Sequence, residues 1–273
     1  METGWERERR AHFDEIVAGY DKIRPEYPAE LFEDVFKYSE IKKGQKALEI
    51  GAGTGKATAP FLNAGYNITA VEIGGNMTDF LRDRFKGFPD FNVITAAFEE
   101  ALLEENSFDL MYAASSFHWI DAEKGCPKVF NLLKSDGIFA LLRYNFNVIP
   151  VGGKLHNEIQ AVYEKHYYSY YKSKKRPEDI SKRNFNKPSE ILNGYGFEDL
   201  SAFGFHNVSM NLYPASKTYS AYEWFDFLET LSDHRNLPNS NRTALYAGVK
   251  NAIQKNGGFY NVDFIFQLYM GRK

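Results

Sequence analysis

A single cysteine, Cys126, stands among the 273 residues, so no internal disulfide can form, and the chain fits a reducing compartment. That lone thiol reads as a small packing residue rather than a nucleophile. Apolar residues never run on for the roughly 20 positions that a membrane-spanning helix requires. The first ten residues, Met1-Glu-Thr-Gly-Trp-Glu-Arg-Glu-Arg-Arg10, are charged and lack the apolar centre of a secretory signal. A cytoplasmic protein with no membrane partner is expected. Histidines and cysteines nowhere take the H-x-x-x-H or C-x-x-C spacing of metal ligands, so no metal is expected, and no G-x-S-x-G elbow marks a hydrolase. An excess of basic charge is also missing. Lys and Arg number 33 against 36 Asp and Glu, a net charge of −3, which argues against a partner made of nucleic-acid phosphates. Repeats, low-complexity tracts and an obvious interdomain linker are absent as well.

What the chain does have is glycine at alternate positions after a short apolar run. In Ala47-Leu-Glu-Ile-Gly-Ala-Gly-Thr-Gly-Lys56 the residues Ala47, Leu48 and Ile50 suit a buried strand, and Gly51, Gly53 and Gly55 suit a sharp turn that a ligand can approach closely. About 20 residues on, a second apolar strand, Asn67-Ile-Thr-Ala-Val71, ends at Glu72, where an acid can accept hydrogen bonds from a ribose. The spacing departs from the dinucleotide fingerprint G-x-G-x-x-G, because the third glycine comes one residue early and Lys56 takes its place. It departs from the phosphate-binding P-loop too: Ile50 occupies the first glycine position and Ala57 replaces the magnesium-binding hydroxyl. A glycine-rich turn without a ligand remains the bland alternative.

Glu49-Ile-Gly-Ala-Gly-Thr-Gly55 resembles the first motif, E/D-x-G-x-G-x-G, of class I S-adenosylmethionine-dependent methyltransferases. The resemblance implies that Gly51, Ala52, Gly53, Thr54 and Gly55 pack against the methionine part of S-adenosylmethionine, with S-adenosylhomocysteine as product. It implies that Glu72 holds the ribose, with Ile73 and Met77 beside it. Ala97 and Phe98, after the apolar Asn92-Val-Ile-Thr-Ala96, resemble the segment beside the adenine. Ser107–Ser115 resembles the fourth strand, Leu133–Leu141 the turn into the fifth, and Ser115 joins the implied cofactor contacts. Upstream, Phe13 and Tyr20-Asp-Lys-Ile-Arg-Pro-Glu-Tyr-Pro28 are similar to the N-terminal lid of a small-molecule branch that includes trans-aconitate methyltransferases, which adds Tyr20 and Arg24 to the cofactor set. His118-Trp119 matches that branch as well.

Strand candidates follow in order at 46–50, 67–71, 91–95, 108–113 and 137–143, with helical stretches at 28–37, 76–86 and 122–134. This alternation predicts a doubly wound, mostly parallel, Rossmann-like sheet with helices on both faces and ligands at the carboxyl ends of the strands. Every motif above falls at such an end. After Pro150 the alternation stops. Residues 154–172 read as a helix crowded with Tyr163, His166, Tyr167, Tyr168, Tyr170 and Tyr171, followed by Lys172, Lys174, Lys175 and Arg176, Pro177 and a polar stretch to Pro188. A helical cap inserted at 147–195 and a solvated helix with an aromatic packing stripe fit equally. Strands at 203–212 and 259–269, with a helix carrying Tyr219, Tyr222, Trp224, Phe225 and Leu228 and another at 240–255, make an ending that resembles the family's seven-stranded sheet with an antiparallel last strand. The expectation is one methyltransferase domain over 1–273, with a lid at 1–40 and the cap at 147–195.

A sulfonium methyl is already activated, so the protein's work is alignment and exclusion of water. A carboxylate acceptor needs no base, whereas a phenol, amine or carbon acid does. His118 is the candidate base or acceptor-orienting donor, its alternative being a ring that closes the pocket beside Trp119. Tyr20 is the candidate for cation–π contact with the sulfonium. Arg24 is set to bind the cofactor carboxylate or an acidic substrate, unless it forms a surface salt bridge. Lys56 reads as solvated, and His234 as a remote candidate. Tyr20, Tyr27, Phe117, Trp119 and the cap predict a pocket for a partly apolar small molecule, and the resemblance of the lid to the trans-aconitate branch implies a carboxylate or other oxygen as acceptor. Two rivals stand beside methyl transfer: a non-catalytic S-adenosylmethionine-binding protein, and an NAD-type oxidoreductase.

Overall fold

The computed structural model of the chain describes residues 17–40, 42–146, 153–172 and 199–273, and of Val17, Ala18 and Tyr20 the backbone only. Phe13, Lys174, Lys175, Arg176, Pro177, Pro188 and most of the expected cap lie outside the described residues. Two helices, α1 (Val17–Ile23) and α2 (Ala29–Ser39), precede β1 (Lys46–Ile50). Then come α3 (Thr58–Asn63), β2 (Asn67–Glu72), α4 (Gly75–Arg84), β3 (Phe91–Thr95), β4 (Phe108–Ala114), α5 (Ala122–Leu132) and β5 (Leu133–Phe146). The second half runs α6 (Lys154–Tyr163), a π-helical segment Glu164–Tyr168, α7 (Ser169–Tyr171), β6 (His206–Ser220), α8 (Ala221–Glu229), α9 (Ser232–Arg235), α10 (Asn239–Lys255) and β7 (Phe259–Arg272).

The seven strands form one mixed sheet in the order β3-β2-β1-β4-β5-β7-β6. Pairings β1–β2, β1–β4, β2–β3 and β4–β5 are parallel. The order reverses between β1 and β4, and such a switch point opens a crevice at the carboxyl ends of the two strands. β1 explains its own central position: its last four residues are buried, the near-continuous burial of a strand covered on both faces. Leu48 and Ile50 join a core with Met111, Val129 and Phe139, while Glu49 points to the other face, where Thr58 of α3 meets it.

The first five strands fall where the apolar runs place them. The second half departs further from the pattern. β6 reaches Ser220, so Tyr219 lies in a strand and not in the helix expected there. The reason is visible after the fact: from Tyr213 to Tyr219 burial alternates along the strand, the signature of a pleated edge. Pro214, which would disrupt a central strand, is tolerated because β6 is the sheet edge. The capping box of Ser220 and Glu223 then starts α8 sharply, with Ser220 Oγ accepting from the Glu223 N–H at 3.2 Å.

The described residues divide into two compact units. One takes those within Met1–Pro25, Asn145–Asn184 and Pro214–Ile265; the other takes Glu26–Tyr144, Phe185–Tyr213 and Phe266–Lys273. The second unit holds β1 to β4, the glycine turn and the core of Leu48, Phe139, Phe205 and Tyr269. The first is rich in packed rings: Trp224 stacks on Phe227 with centroids 4.8 Å apart, and Phe146 meets Phe227 edge-on at 4.9 Å. No helix among the described residues is long and apolar enough to cross a membrane.

Candidate functional site

The turn after β1 is built by backbone conformation. Gly51, Gly53 and Gly55 all lie in the left-handed region, with φ of 67°, 56° and 83°. Their surroundings differ. A side-chain carbon on Gly51 would sit 2.6 Å from Ser116 Cβ, and one on Gly55 would sit 2.5 Å from the Phe85 ring and 2.9 Å from Leu81 Cδ2. At Gly53 it would meet no atom within 4 Å. Gly51 and Gly55 are therefore demanded by the protein's own packing, whereas Gly53 lines open space that a ligand can use. Between them Ala52 and Thr54 are buried, and the Thr54 carbonyl accepts from Arg84 Nη1 at 3.0 Å.

Glu72 closes the turn from β2. Its Oε2 accepts from the Gly53 N–H at 2.8 Å and its Oε1 from the Gly74 N–H at 3.0 Å. The carboxylate thus bridges the loops after β1 and β2, and the residue is 8% exposed. Ile73 follows it half-buried, and Met77 is buried on α4. Ala97 and Phe98 are buried too, Phe98 within the core cluster of Leu48, Ile50 and Val71, with Lys128 Nζ 5.1 Å from its ring centroid.

At the end of β4, Ser115 adopts φ 55°, a left-handed conformation uncommon for a serine. Its hydroxyl pairs with Tyr27 OH at 2.7 Å, and its N–H donates to the Leu142 carbonyl at 2.7 Å. The Ser116 hydroxyl donates to the Ile50 carbonyl, tying the tips of β1 and β4 together. A short 3₁₀ turn, Phe117–Trp119, comes next. His118 is half-buried with its ring 5.2 Å from that of Trp119. Phe117 is a core residue against Phe139 and not part of a pocket wall as the sequence reading has it. Lys56 is not solvated either: its ammonium pairs with the Glu26 carboxylate, and its side chain is 10% exposed.

Glu49 escaped the sequence-based set of contacts although it opens the motif. It is fully buried, and both Thr58 Oγ1, at 2.5 Å, and Tyr112 OH, at 3.0 Å, donate to its Oε2. The parallel register sets Glu49 opposite Tyr112, which delivers the second donor. Oε1 is buried without a hydrogen-bond partner. Burial pushes the Glu49 carboxyl up to about 8, against the two hydroxyl donors and with a further rise from Glu72. An acid inside the apolar run Ala47-Leu-Glu-Ile50 was a visible signal; its partners, brought in by tertiary structure, were not.

Tyr20 and Arg24 belong to the first unit. The Arg24 guanidinium donates to the Thr230 carbonyl at 2.5 Å and lies 5.2 Å from the Phe227 ring centroid. His234 is also there, buried between Asp233, at 3.0 Å from Nδ1, and Tyr163 OH, at 2.9 Å from Nε2. Cys126 is buried in the core, and burial raises its thiol to about 12, far from a reactive thiolate. Among the described residues no three His, Cys, Asp or Glu side chains gather as metal ligands.

Two features of the turn fit an adenosyl amino acid: a glycine with open space and a fixed carboxylate at the end of β2. When bound, S-adenosylmethionine would supply an activated methyl on sulfur, and the residues of the turn with Glu72 would hold and orient it. Comparison with known proteins agrees. A family model described as a methyltransferase domain matches residues 48–141. An uncharacterized methyltransferase of Schizosaccharomyces pombe is 25% identical over 253 residues, 92% of this chain and 90% of that protein. A probable S-adenosylmethionine-dependent methyltransferase of Saccharomyces cerevisiae is 27% identical over 206 residues, 73% of this chain and 67% of its own. Other curated relatives are matched over about half of their length. Among solved structures, the Haemonchus contortus phosphoethanolamine N-methyltransferase 2, in complex with phosphomonomethylethanolamine and S-adenosylhomocysteine, has a TM-score of 0.54 at 16% identity; the match takes in 100% of this chain and 60% of that one. That structural likeness carries the fold, and the sequence matches carry the activity. With the glycine turn inside the matched domain and Glu72 locked to it, residues 48–141 form an S-adenosylmethionine-dependent methyltransferase domain, similar to those of class I.

Proposed function

We propose that the chain transfers the methyl group to a small molecule, at a carboxylate or another oxygen. Methyl transfer to an anionic oxygen needs no proton removed beforehand, so the site need only hold the nucleophile in line with the carbon–sulfur bond. The observation that carries this reading is the composition of the β4 end. Ser115, Ser116 and His118 are the polar side chains there, with Ser115 bonded to Tyr27, Ser116 to the Ile50 carbonyl and the His118 ring beside that of Trp119. His118 then orients the acceptor oxygen by donating a hydrogen bond, with Trp119 beside it. The Gly51–Gly55 turn, Glu72, Ile73 and Met77 form the cofactor side, and Ala97, Phe98 and Ser115 the adjoining wall. The resemblance of Tyr20–Pro28 and of His118-Trp119 to the trans-aconitate branch supports a carboxylate acceptor. The phosphomonomethylethanolamine complex of the nematode enzyme supports small acceptors in general.

A panel assay for S-adenosylhomocysteine release, with di- and tricarboxylic acids, phenols and amines as acceptors, tests the proposal. Turnover confined to the acids, and reduced at least tenfold by His118→Phe, is the expected result. Turnover confined to amines or phenols, or to a protein or nucleic acid added as control, overturns the acceptor class.

A further inference from the structure

Ser115 leaves β4 in a conformation that serine rarely adopts, and two contacts hold it there. Its φ is 55°. Its N–H donates to the Leu142 carbonyl at 2.7 Å, and its hydroxyl pairs with Tyr27 OH at 2.7 Å. A residue other than glycine stays left-handed only where its surroundings impose it. The Tyr27 ring is seated edge-on among Phe32, Tyr144 and Phe266, with centroids 6.1, 6.2 and 5.3 Å away, so its hydroxyl is a fixed point. Pro28 adds to this by keeping the residue before it out of the helical region. Glu26, one position earlier, pairs with the ammonium of Lys56, which directly follows the glycine turn. Glu26-Tyr27 is thus a strap whose two side chains reach two loops, one after β1 and one after β4. Those loops also touch each other. The Ser116 hydroxyl donates to the Ile50 carbonyl, and Ser116 Cβ leaves no room for a side chain on Gly51.

We propose that Tyr27 is a positioning residue of the cofactor crevice: its hydroxyl holds Ser115 left-handed, and through Ser115 it sets the loop that packs against the glycine turn. The inference rests on the glycine turn being the cofactor cradle. The chain passes from β4 into its loop through Ser115, so the φ of that one residue decides where Ser116 lands against Gly51 and where the turn of Phe117–Trp119 begins. Without the Tyr27 hydroxyl, Ser115 relaxes toward an ordinary conformation and Ser116 draws away from Gly51. The crevice at the switch point then loses the shape of one wall. Tyr27 needs no bond to the ligand for this, because it acts through Ser115.

Calorimetric titration of the full chain with S-adenosylhomocysteine reads the effect without any acceptor. Tyr27→Phe keeps the ring and its packing and removes the hydroxyl alone, so it folds. The expected result is about a tenfold loss of affinity, the worth of one neutral hydrogen bond. In a Ser115→Gly background the same substitution changes affinity by less than about twofold, because glycine takes a positive φ without being held. Amide hydrogen exchange of the ligand-free protein adds a readout that a mere packing role of Tyr27 would not move. The Ser115 and Trp119 N–H groups, which donate to the Leu142 and Ser116 carbonyls, exchange about tenfold faster in Tyr27→Phe. Equal affinity of Tyr27→Phe and the wild-type protein, an equal loss in both backgrounds, or unchanged exchange overturns the proposal and leaves the cradle standing. Failure of the ligand to bind the wild-type protein at all overturns the cradle, and the proposal with it.

Discussion

The Gly53 N–H donates to Glu72 Oε2 at 2.8 Å, so the loop after β1 is fixed by the last side chain of β2. One carboxylate serves two ends: it locks the turn and it presents an acid at the cofactor crevice. Glu72→Ala removes acceptors for two backbone donors, each worth about 1.5–3 kcal/mol when the acceptor is charged. The expected outcome is at least a 100-fold loss of S-adenosylhomocysteine affinity. Thermal shift checks it. Ligand at about 100 times its dissociation constant stabilises the wild-type protein by roughly 2.7 kcal/mol, and that stabilisation disappears in the variant, while NADH gives none in either.

Two glycines of the turn separate folding from binding. Gly55→Ala places a methyl 2.5 Å from the Phe85 ring at φ 83° and destabilises the protein, by about 2–4 kcal/mol from overpacking and backbone strain together. Gly53→Ala meets no protein atom, so it costs only the left-handed conformation, about 1–2 kcal/mol. It nonetheless weakens cofactor binding at least tenfold, because the methyl fills ligand space. Urea unfolding beside ligand titration checks both, and equal losses of stability would contradict the assignment of Gly53 to the ligand.

The parts of this molecule that were legible share a physical reason. Buried parallel strands are short apolar runs, glycine turns need residues without a Cβ, and Glu72 ends its strand where the apolar run ends, so local sequence announced all three. The extension of β6 through Pro214 to Ser220 was hidden because an edge strand half-buries its residues and tolerates proline. The burial of Phe117 in the core was hidden for another reason, since an aromatic after a strand reads the same whether it faces ligand or Phe139. Lys56 looked solvated in a helix's first turn, and only tertiary contact with Glu26 says otherwise. Tyr112 and Thr58 gave no sign of their role, which exists only once α3 and β4 both bring a hydroxyl to Glu49 of β1.

Glu49 also marks ligand-free stability with a pH signature. Its folded-state value, about 8, lies above the ordinary carboxyl value of 4.5, so the folded form holds a proton that the unfolded chain gives up. The resulting contribution is fully present below about pH 4.5, declines as pH rises, and is exhausted above about 8. At about 1.4 kcal/mol per pKa unit, the swing is on the order of 3–5 kcal/mol. Glu49→Gln, which cannot ionise, is expected to match the wild-type protein near pH 5 and to melt several degrees higher at pH 8.5. Parallel melting curves across that range check the sign, and a variant that loses stability uniformly would contradict it.

In the first unit, Asp233 holds a network of the opposite sign. His234 Nδ1 lies 3.0 Å from Oδ1, the Tyr167 hydroxyl donates to Oδ2, and the Tyr171 hydroxyl donates to the Asp233 carbonyl at 2.5 Å. Tyr163 and Tyr167 are four apart and flank His234 across a π-helical segment, whose wider turn keeps residues at that spacing on one face. Burial alone pushes the Asp233 carboxyl up, yet the His234 imidazole and the Tyr167 hydroxyl hold it below its ordinary value. A depressed carboxylate contributes stability that is present above its unfolded value, near 3.8, and lost as pH falls through the folded one. Asp233→Asn is therefore expected to destabilise the protein by about 3–5 kcal/mol at pH 7, as breaking one side of a buried pair does. Tyr167→Phe removes a single donor and costs about 1–3 kcal/mol. Denaturant midpoints at pH 7 and pH 2 check both, and the gap between Asp233→Asn and the wild-type protein narrows at the lower pH, which lies below the ordinary value of 3.8. A gap that stays constant would mean that Asp233 is neutral in the folded protein, and that hydrogen bonding alone holds α7 to α9.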